Sequence, residues 1–218
     1  AITPPAHARL GCAIHSVRAV PPTAMGPVVS LSQRNGAPLH VHVSEQRAEN
    51  EACLASYRRT PTKLLDQAGV LGPRTTVVHA THLTNGNIRD LGGARVFVCM
   101  CPTTERDLAD GIGPARALAK RGATLTLGTD SHAMIDMFEE ARAVELDERL
   151  RSEERGHCTA TELLGAATAA GHACLGWPDA RVIAAGAQAD LVTLDRSSVR
   201  LAGGGRDTAA ESVLFAAT

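Results

Sequence analysis

An α/β fold built on a parallel sheet is the class this sequence predicts, and three observations predict it. Short β-branched runs alternate with helical patterns as far as about residue 170, the order expected of successive βα units. Hydrophobic residues make up 44% of the chain and aromatics only 2%, so the core must be built from Ala, Val, Leu and Ile. Residues that bind metals or move protons recur at the ends of the β-branched runs. The carboxyl ends of parallel strands are where such folds hold ligands.

The spacing predicts strands at 10–15 (LGCAIH), 38–44 (PLHVHVS), 75–80 (TTVVHA), 94–100 (ARVFVCM) and 123–129 (ATLTLGT). Helical patterns lie between them. One starts with Thr60 as N-cap and Pro61 at the first helical position, puts Leu64, Leu65 and Ala68 on one face, and ends near Gly69. A longer helix is expected over 136–154, with Glu145/Arg149 and Asp147/Arg151 at i,i+4 forming a solvated face. After Gly171, Ala and Gly dominate, and ADLVTLD (189–195) reads as a strand with no helix after it. A small β element therefore begins there. Gly203, Gly204 and Gly205 mark a turn and lack the frame of a phosphate loop.

The chain's 218 residues suit one large domain or two small ones, on a prior of roughly 100–200 residues each. Lys+Arg number 22 against Asp+Glu 23, a net charge of −1. That balance leaves no basic face for a phosphate backbone, so nucleic acid is excluded as a partner. No apolar run approaches the roughly 20 residues of a membrane span, and Ala1 to Leu10 lacks the order of a signal peptide. A cytoplasmic protein with no membrane partner is expected. The first residue is Ala1 and the last stretch, Val213 to Thr218, is apolar without a polar tail, so both ends read as cut. Cys12, Cys53, Cys99, Cys101, Cys158 and Cys174 show no CxxC spacing and read as free thiols. Cys99 and Cys101 alternate onto one face, where packing is their expected role.

Four of the five strands end in chemically capable residues: His15; His42 and Glu45; His79 and His82; Asp130 and His132. The fourth runs into Cys101, Pro102, Thr103, Thr104 and Glu105. His42 and Glu45 form an HxxE leaving an apolar strand, and Asp130 follows another. Imidazole and carboxylate suit a borderline divalent ion such as Zn²⁺, whose catalytic sites keep a water position open. Glu45, slightly beyond the ligand, is placed to shuttle protons. His40 shares a strand face with His42; packing or support of the neighbouring ligand is its expected role.

HSVRAV (15–20), PLHVHVSEQ (38–46), VVHATHL (77–83), CPTTERDLADG (101–111) and GTDSH (128–132), in that order, resemble the amidohydrolase superfamily. The first and fourth are similar in particular to the N-formimino-L-glutamate deiminases of histidine degradation. The resemblance implies a partial (β/α)8 amidohydrolase barrel, about the last five βα units, over residues 1–175, with the start of a small β domain over 176–218. It implies His42 and Asp130 as metal ligands, Asp130 also taking the proton of the attacking water, and Glu45 as proton shuttle. It further implies that His79 hydrogen-bonds the reacting group or the hydroxide, and that His15 and Arg18 face the substrate carboxylates. Arg suits that task because its planar fork grips carboxylates bidentately. The implied reaction hydrolyses the formimino C=N, giving N-formyl-L-glutamate and ammonia, and a homodimer is expected.

The superfamily holds its metal with a further HxH on the first barrel strand, which nothing before His15 supplies. The chain is therefore expected to be the carboxyl-terminal part of a longer enzyme. Three rivals stand beside that reading. One is a related deaminase or chlorohydrolase acting on a purine, pterin or triazine ring, a neutral substrate that needs no carboxylate clamp such as Arg18. Another is a non-catalytic fragment that lacks the HxH. The third is an open-sheet protein whose own His40, His42, His79 and Asp130 complete a site.

Overall fold

Each β-branched run forms a strand, shorter at its ends than the sequence pattern suggests. In the computed structural model, which describes residues 4–132, 134–180 and 182–218, the strands are β1 (Cys12–Ile14), β2 (Leu39–Val43), β3 (Thr75–His79), β4 (Phe97–Met100) and β5 (Thr124–Leu127). They lie in the order β1-β2-β3-β4-β5, and every neighbouring pair is parallel. Parallel neighbours require crossovers, and helices supply them: α1 (Pro22–Asn35), α2 (Arg47–Tyr57), α3 (Pro61–Gln67), α4 (Asn85–Gly93), α5 (Pro102–Asp107) and α6 (Ala115–Lys120). Thr60 caps α3 by accepting from the Lys63 N–H, with Pro61 at its first position.

Alternation along the strands divides the sheet into two faces. Leu39, Val41 and Val43 of β2, Val77 of β3, and Val98 and Met100 of β4 are buried with Leu64, Leu65, Leu91 and Leu118 from the crossover helices. The register sets His40, Thr76, Phe97 and Thr124 in one row of the other face, and His42, Val78, Cys99 and Thr126 in the next. This inner face is the more polar one, and it carries the site.

The long helix α7 (Met137–Ser152) begins where Asp136 accepts from the Phe138 and Glu139 N–H groups. Its acidic residues correct the expectation of a solvated face, because Glu140, Glu145 and Glu148 are buried. Glu145 accepts from Arg149 at 2.7 Å and from the Gly156 and Cys158 N–H groups at 2.9 and 2.7 Å. Glu148 accepts from the Arg116 N–H at 2.8 Å and pairs with Arg151, displacing Asp147 from the expected i,i+4 pair. Glu140 accepts from the Thr103 N–H and hydroxyl. A buried carboxylate is tolerable only when its lone pairs are met, and here each one ties α7 to a neighbouring segment.

Beyond α7 the chain forms α8 (Ala160–Gly165), whose Thr159 and Glu162 make a capping box, and passes through a π-helical stretch (Ala166–Ala170) into α9 (Gly171–Cys174). The strand expected at 189–195 is not formed: the segment has no ladder partner among the described residues, and Leu191 and Val192 are 64% and 79% exposed. Its apolar, β-branched character is real, but a strand exists only with a neighbour to bond. The chain ends in α10 (Ala209–Ala216), where Leu214 is fully buried and the Ala217 carbonyl accepts from Arg142 of α7. No helix of the described residues is long and apolar enough to cross a membrane.

Candidate active site

The ends of β2, β3 and β5 turn sharply. Ser44, His79, Ala80 and Asp130 all adopt left-handed backbone, with φ of 52°, 67°, 53° and 42°. For residues with a Cβ this costs of order 1–3 kcal/mol each, and such residues cluster at functional sites. The turns bring together side chains from three strands. Ligand atoms of His42, His79 and Asp130 lie within 4.8 Å of one another, and the His42 and His79 rings stack with centroids 5.5 Å apart.

Each imidazole is anchored through Nδ1. That of His42 donates to the His15 carbonyl at 2.8 Å, leaving Nε2 with a free lone pair in the neutral ring. That of His79 faces Glu105 Oε1 at 3.3 Å, while its Nε2 lies 3.7 Å from Glu45 Oε1 and 3.8 Å from Asp130 Oδ2. His79 is 1% exposed. Burial alone would lower its pKa, but the hydrogen bond and charge of Glu105, with the charges of Glu45 and Asp130, outweigh it and raise the pKa above its ordinary value. The protonated ring is thereby favoured relative to a free imidazole.

Glu45 is also brought into the group. Its Oε2 accepts from Arg18 at 2.5 Å, and its backbone N–H donates to Glu49 at 3.1 Å. Arg18 reaches Glu49 as well, at 3.9 Å. The guanidinium assigned from sequence to a substrate carboxylate therefore sits on Glu45, with about a third of its side chain open to solvent. Burial, partly offset by the Ser44 N–H and by Arg18, raises the Glu49 pKa. His15 lines the mouth, exposed, its ring 5.1 Å from that of His42 and its Nδ1 3.0 Å from Ser16 Oγ.

Other strand-end residues stay apart. His40 Nε2 meets the Cys174 carbonyl at 3.4 Å, and burial lowers its pKa; it supports the base of the sheet and joins no donor group among the described residues. His82 bonds the Asp110 carbonyl at 2.7 Å. His132 is exposed. Sequence reasoning missed Glu49 and named Glu105 only as part of the segment after the fourth strand, without a role. Glu105 had a readable signal: Pro102 opens a helix, so Glu105 stands one turn beyond Cys101, and it accepts from the Cys101 N–H at 2.9 Å. Ligand atoms of His79, Cys101 and Glu105, all buried, form a second group within 4.8 Å.

The amidohydrolase family model matches residues 6–214. Over 184 residues, 83% of the chain, it is 37% identical to a 5-methylthioadenosine/S-adenosylhomocysteine deaminase of Pelotomaculum thermopropionicum, covering 42% of that protein. Over 214 residues, 95% of the chain, it is 33% identical to a formimidoylglutamate deiminase of Pseudomonas aeruginosa, covering 47% of that protein. The crystal structure of an adenosine deaminase from Xanthomonas campestris with bound zinc superposes with a TM-score of 0.86 at 29% identity, over 94% of this chain and 47% of that one. The chain thus spans less than half the length of these relatives. With the fold, the strand-end donors and nearly the whole chain matched, the chain belongs to the amidohydrolase family.

Proposed function

We propose that the chain carries part of the active site of a metal-dependent hydrolase that releases ammonia from a C–N bond, with N-formimino-L-glutamate as substrate. The observation that carries this reading is the convergence of His42, His79 and Asp130 within 4.8 Å, with Glu45 3.7 Å from His79. The donor set fits a divalent ion such as Zn²⁺: nitrogen and oxygen ligands, with His42 held by its other nitrogen as metal-binding histidines commonly are. His42 and Asp130 would supply two of the three protein ligands that a catalytic zinc generally takes. The remaining donor would come from the HxH expected on the first barrel strand.

A cation bound there would supply Lewis acidity and would bring the pKa of water down to about 7. Asp130 takes the proton of the attacking water, and Glu45 carries a proton to the departing nitrogen, which leaves as ammonia. His79, held toward the doubly protonated state by Glu105, donates from Nε2 to the group under attack. Arg18 orients Glu45 through their ion pair and presents its open edge, beside His15, to a substrate carboxylate. Likeness to a formimidoylglutamate deiminase along almost the whole chain supports the substrate, as do Arg18 itself and the CPTTERDLADG segment.

A second reading, deamination of an adenosine-like nucleoside, is favoured by the higher identity to the 5-methylthioadenosine/S-adenosylhomocysteine deaminase. Ammonia release by the whole enzyme from N-formimino-L-glutamate and from 5-methylthioadenosine decides between them. Turnover of the nucleoside alone would overturn the first reading. We further propose that residues 1–175 are the barrel portion and 176–218 the start of a small β domain. Its exposed Ile183, Val192 and Val199 would be covered by further chain or by a second copy in a homodimer, and sedimentation of the whole enzyme tests the dimer.

A further inference from the structure

We infer that Cys99 and Cys101 form a second cation site, which takes a soft thiophilic ion and adjoins the His42, His79 and Asp130 group at His79. Their sulfurs lie 4.0 Å apart. Two sulfurs holding one ion tetrahedrally at about 2.3 Å are separated by about 3.8 Å, whereas disulfide sulfurs lie about 2.05 Å apart. The spacing, that of two thiols in hydrogen-bonding contact, admits a bridged ion and excludes a disulfide.

This closeness is not automatic in a Cys-X-Cys sequence. Same-face neighbours on a regular strand stand roughly 6.6 Å apart along the chain. Cys99 lies within β4, but Cys101 leaves the extended conformation, with φ −126° and ψ 62°, as the chain turns into α5. Gly128, just past β5, faces the pair: a Cβ there would stand 2.9 Å from Cys99 Sγ and 3.3 Å from Cys101 Sγ. No side chain from that position comes between the thiols.

Further donors lie beside Cys101, while no group of three within 4.8 Å among the described residues includes Cys99. A carboxylate oxygen of Glu105 and a ring nitrogen of His79 lie within 4.8 Å of Cys101 Sγ, and all three residues are buried. Thiolates select soft ions over the harder cations that carboxylates and water prefer. Cys99 is only half-buried, which gives an ion a way in. On binding, each thiol replaces its S–H bond with a sulfur–metal bond, and the proton leaves to solvent. Glu105 also anchors His79, so an ion that draws Glu105 toward Cys101 pulls on the donor side of the reaction centre. The cation site itself stands independently of the reading of the reaction.

The test is a titration of the reduced protein with Cd²⁺, read by thiolate-to-metal charge-transfer absorption, with X-ray absorption at the cadmium edge. The expected result is a band saturating at one equivalent and at least two sulfur ligands. Cys99→Ser and Cys101→Ser should each weaken binding at least tenfold, while Cys53→Ser and His42→Ala retain the band. Absence of the band in the parent, its persistence in both serine variants, its loss in His42→Ala, or a cadmium shell of nitrogen and oxygen alone would overturn the site. Should the serine variants lose their native circular dichroism, the sulfur count in the parent decides.

Discussion

Glu105 Oε1 stands 3.3 Å from Nδ1 of His79, and neither side chain is more than 4% exposed. A histidine held above its ordinary pKa contributes stability that is complete below the unfolded value, near 6.5, and is lost as the pH rises through the folded one. Glu105→Gln should lower the His79 pKa and reduce stability more at mildly acidic than at alkaline pH. Imidazole NMR titration and urea unfolding of the metal-free protein measure both. An unmoved His79 titration would remove Glu105 from this role.

His42→Ala and Asp130→Ala in the whole enzyme should each deplete the bound metal, since each is expected to supply a direct bond from its own strand. Metal analysis by mass spectrometry decides. Unchanged stoichiometry in both variants would move the metal elsewhere.

Glu45→Gln should keep the metal and lose turnover by about 10²- to 10⁴-fold, the usual contribution of a proton carrier. The amide preserves shape and cannot carry the proton. Activity within a few-fold of the parent would take Glu45 out of the mechanism.

Arg18→Met should weaken N-formimino-L-glutamate by roughly 10- to 100-fold, as expected for loss of a charged hydrogen bond of about 1.5–3 kcal/mol. A formimino compound lacking the carboxylates should lose less, only what the ion pair with Glu45 contributes. Equal losses on both compounds would mean that Arg18 acts only through its 2.5 Å pair with Glu45.

Glu145→Ala should cost roughly 1–3 kcal/mol in chemical denaturation, because the Gly156 and Cys158 N–H groups and Arg149 lose their common acceptor. Burial would raise the Glu145 pKa, but Arg149 and the two N–H groups outweigh it and hold the pKa down. A carboxylate of this kind gives stability present above its unfolded pKa, near 4.3, and lost as the pH falls through the lower folded value. The variant's deficit should therefore shrink in acid. A deficit independent of pH would assign the loss to packing.

Strand positions and the convergence of His42, His79, Glu45 and Asp130 were legible because they follow from local pattern: β-branched runs, and polar residues at their ends. Relationships between distant segments were not. The pairing of Arg18 with Glu45 went unforeseen because nothing local says that residue 45 will lie against it, 27 positions away. Glu145 looked solvated because i,i+4 spacing describes a helix in isolation, and only packing against the 156–158 turn buries it. ADLVTLD has the composition of a strand, but composition cannot provide the neighbouring backbone.

The left-handed corners at Ser44, His79, Ala80 and Asp130 have a bearing on redesign. They belong to the main chain, so the aim of each strand end is largely indifferent to which functional group is mounted on it. Exchanging the group at 42, 79 or 130 leaves that scaffold in place, whereas inserting a single residue at the mouth would rotate every donor downstream of it. Chemical novelty at this site is therefore reached more readily by substitution than by changes in loop length.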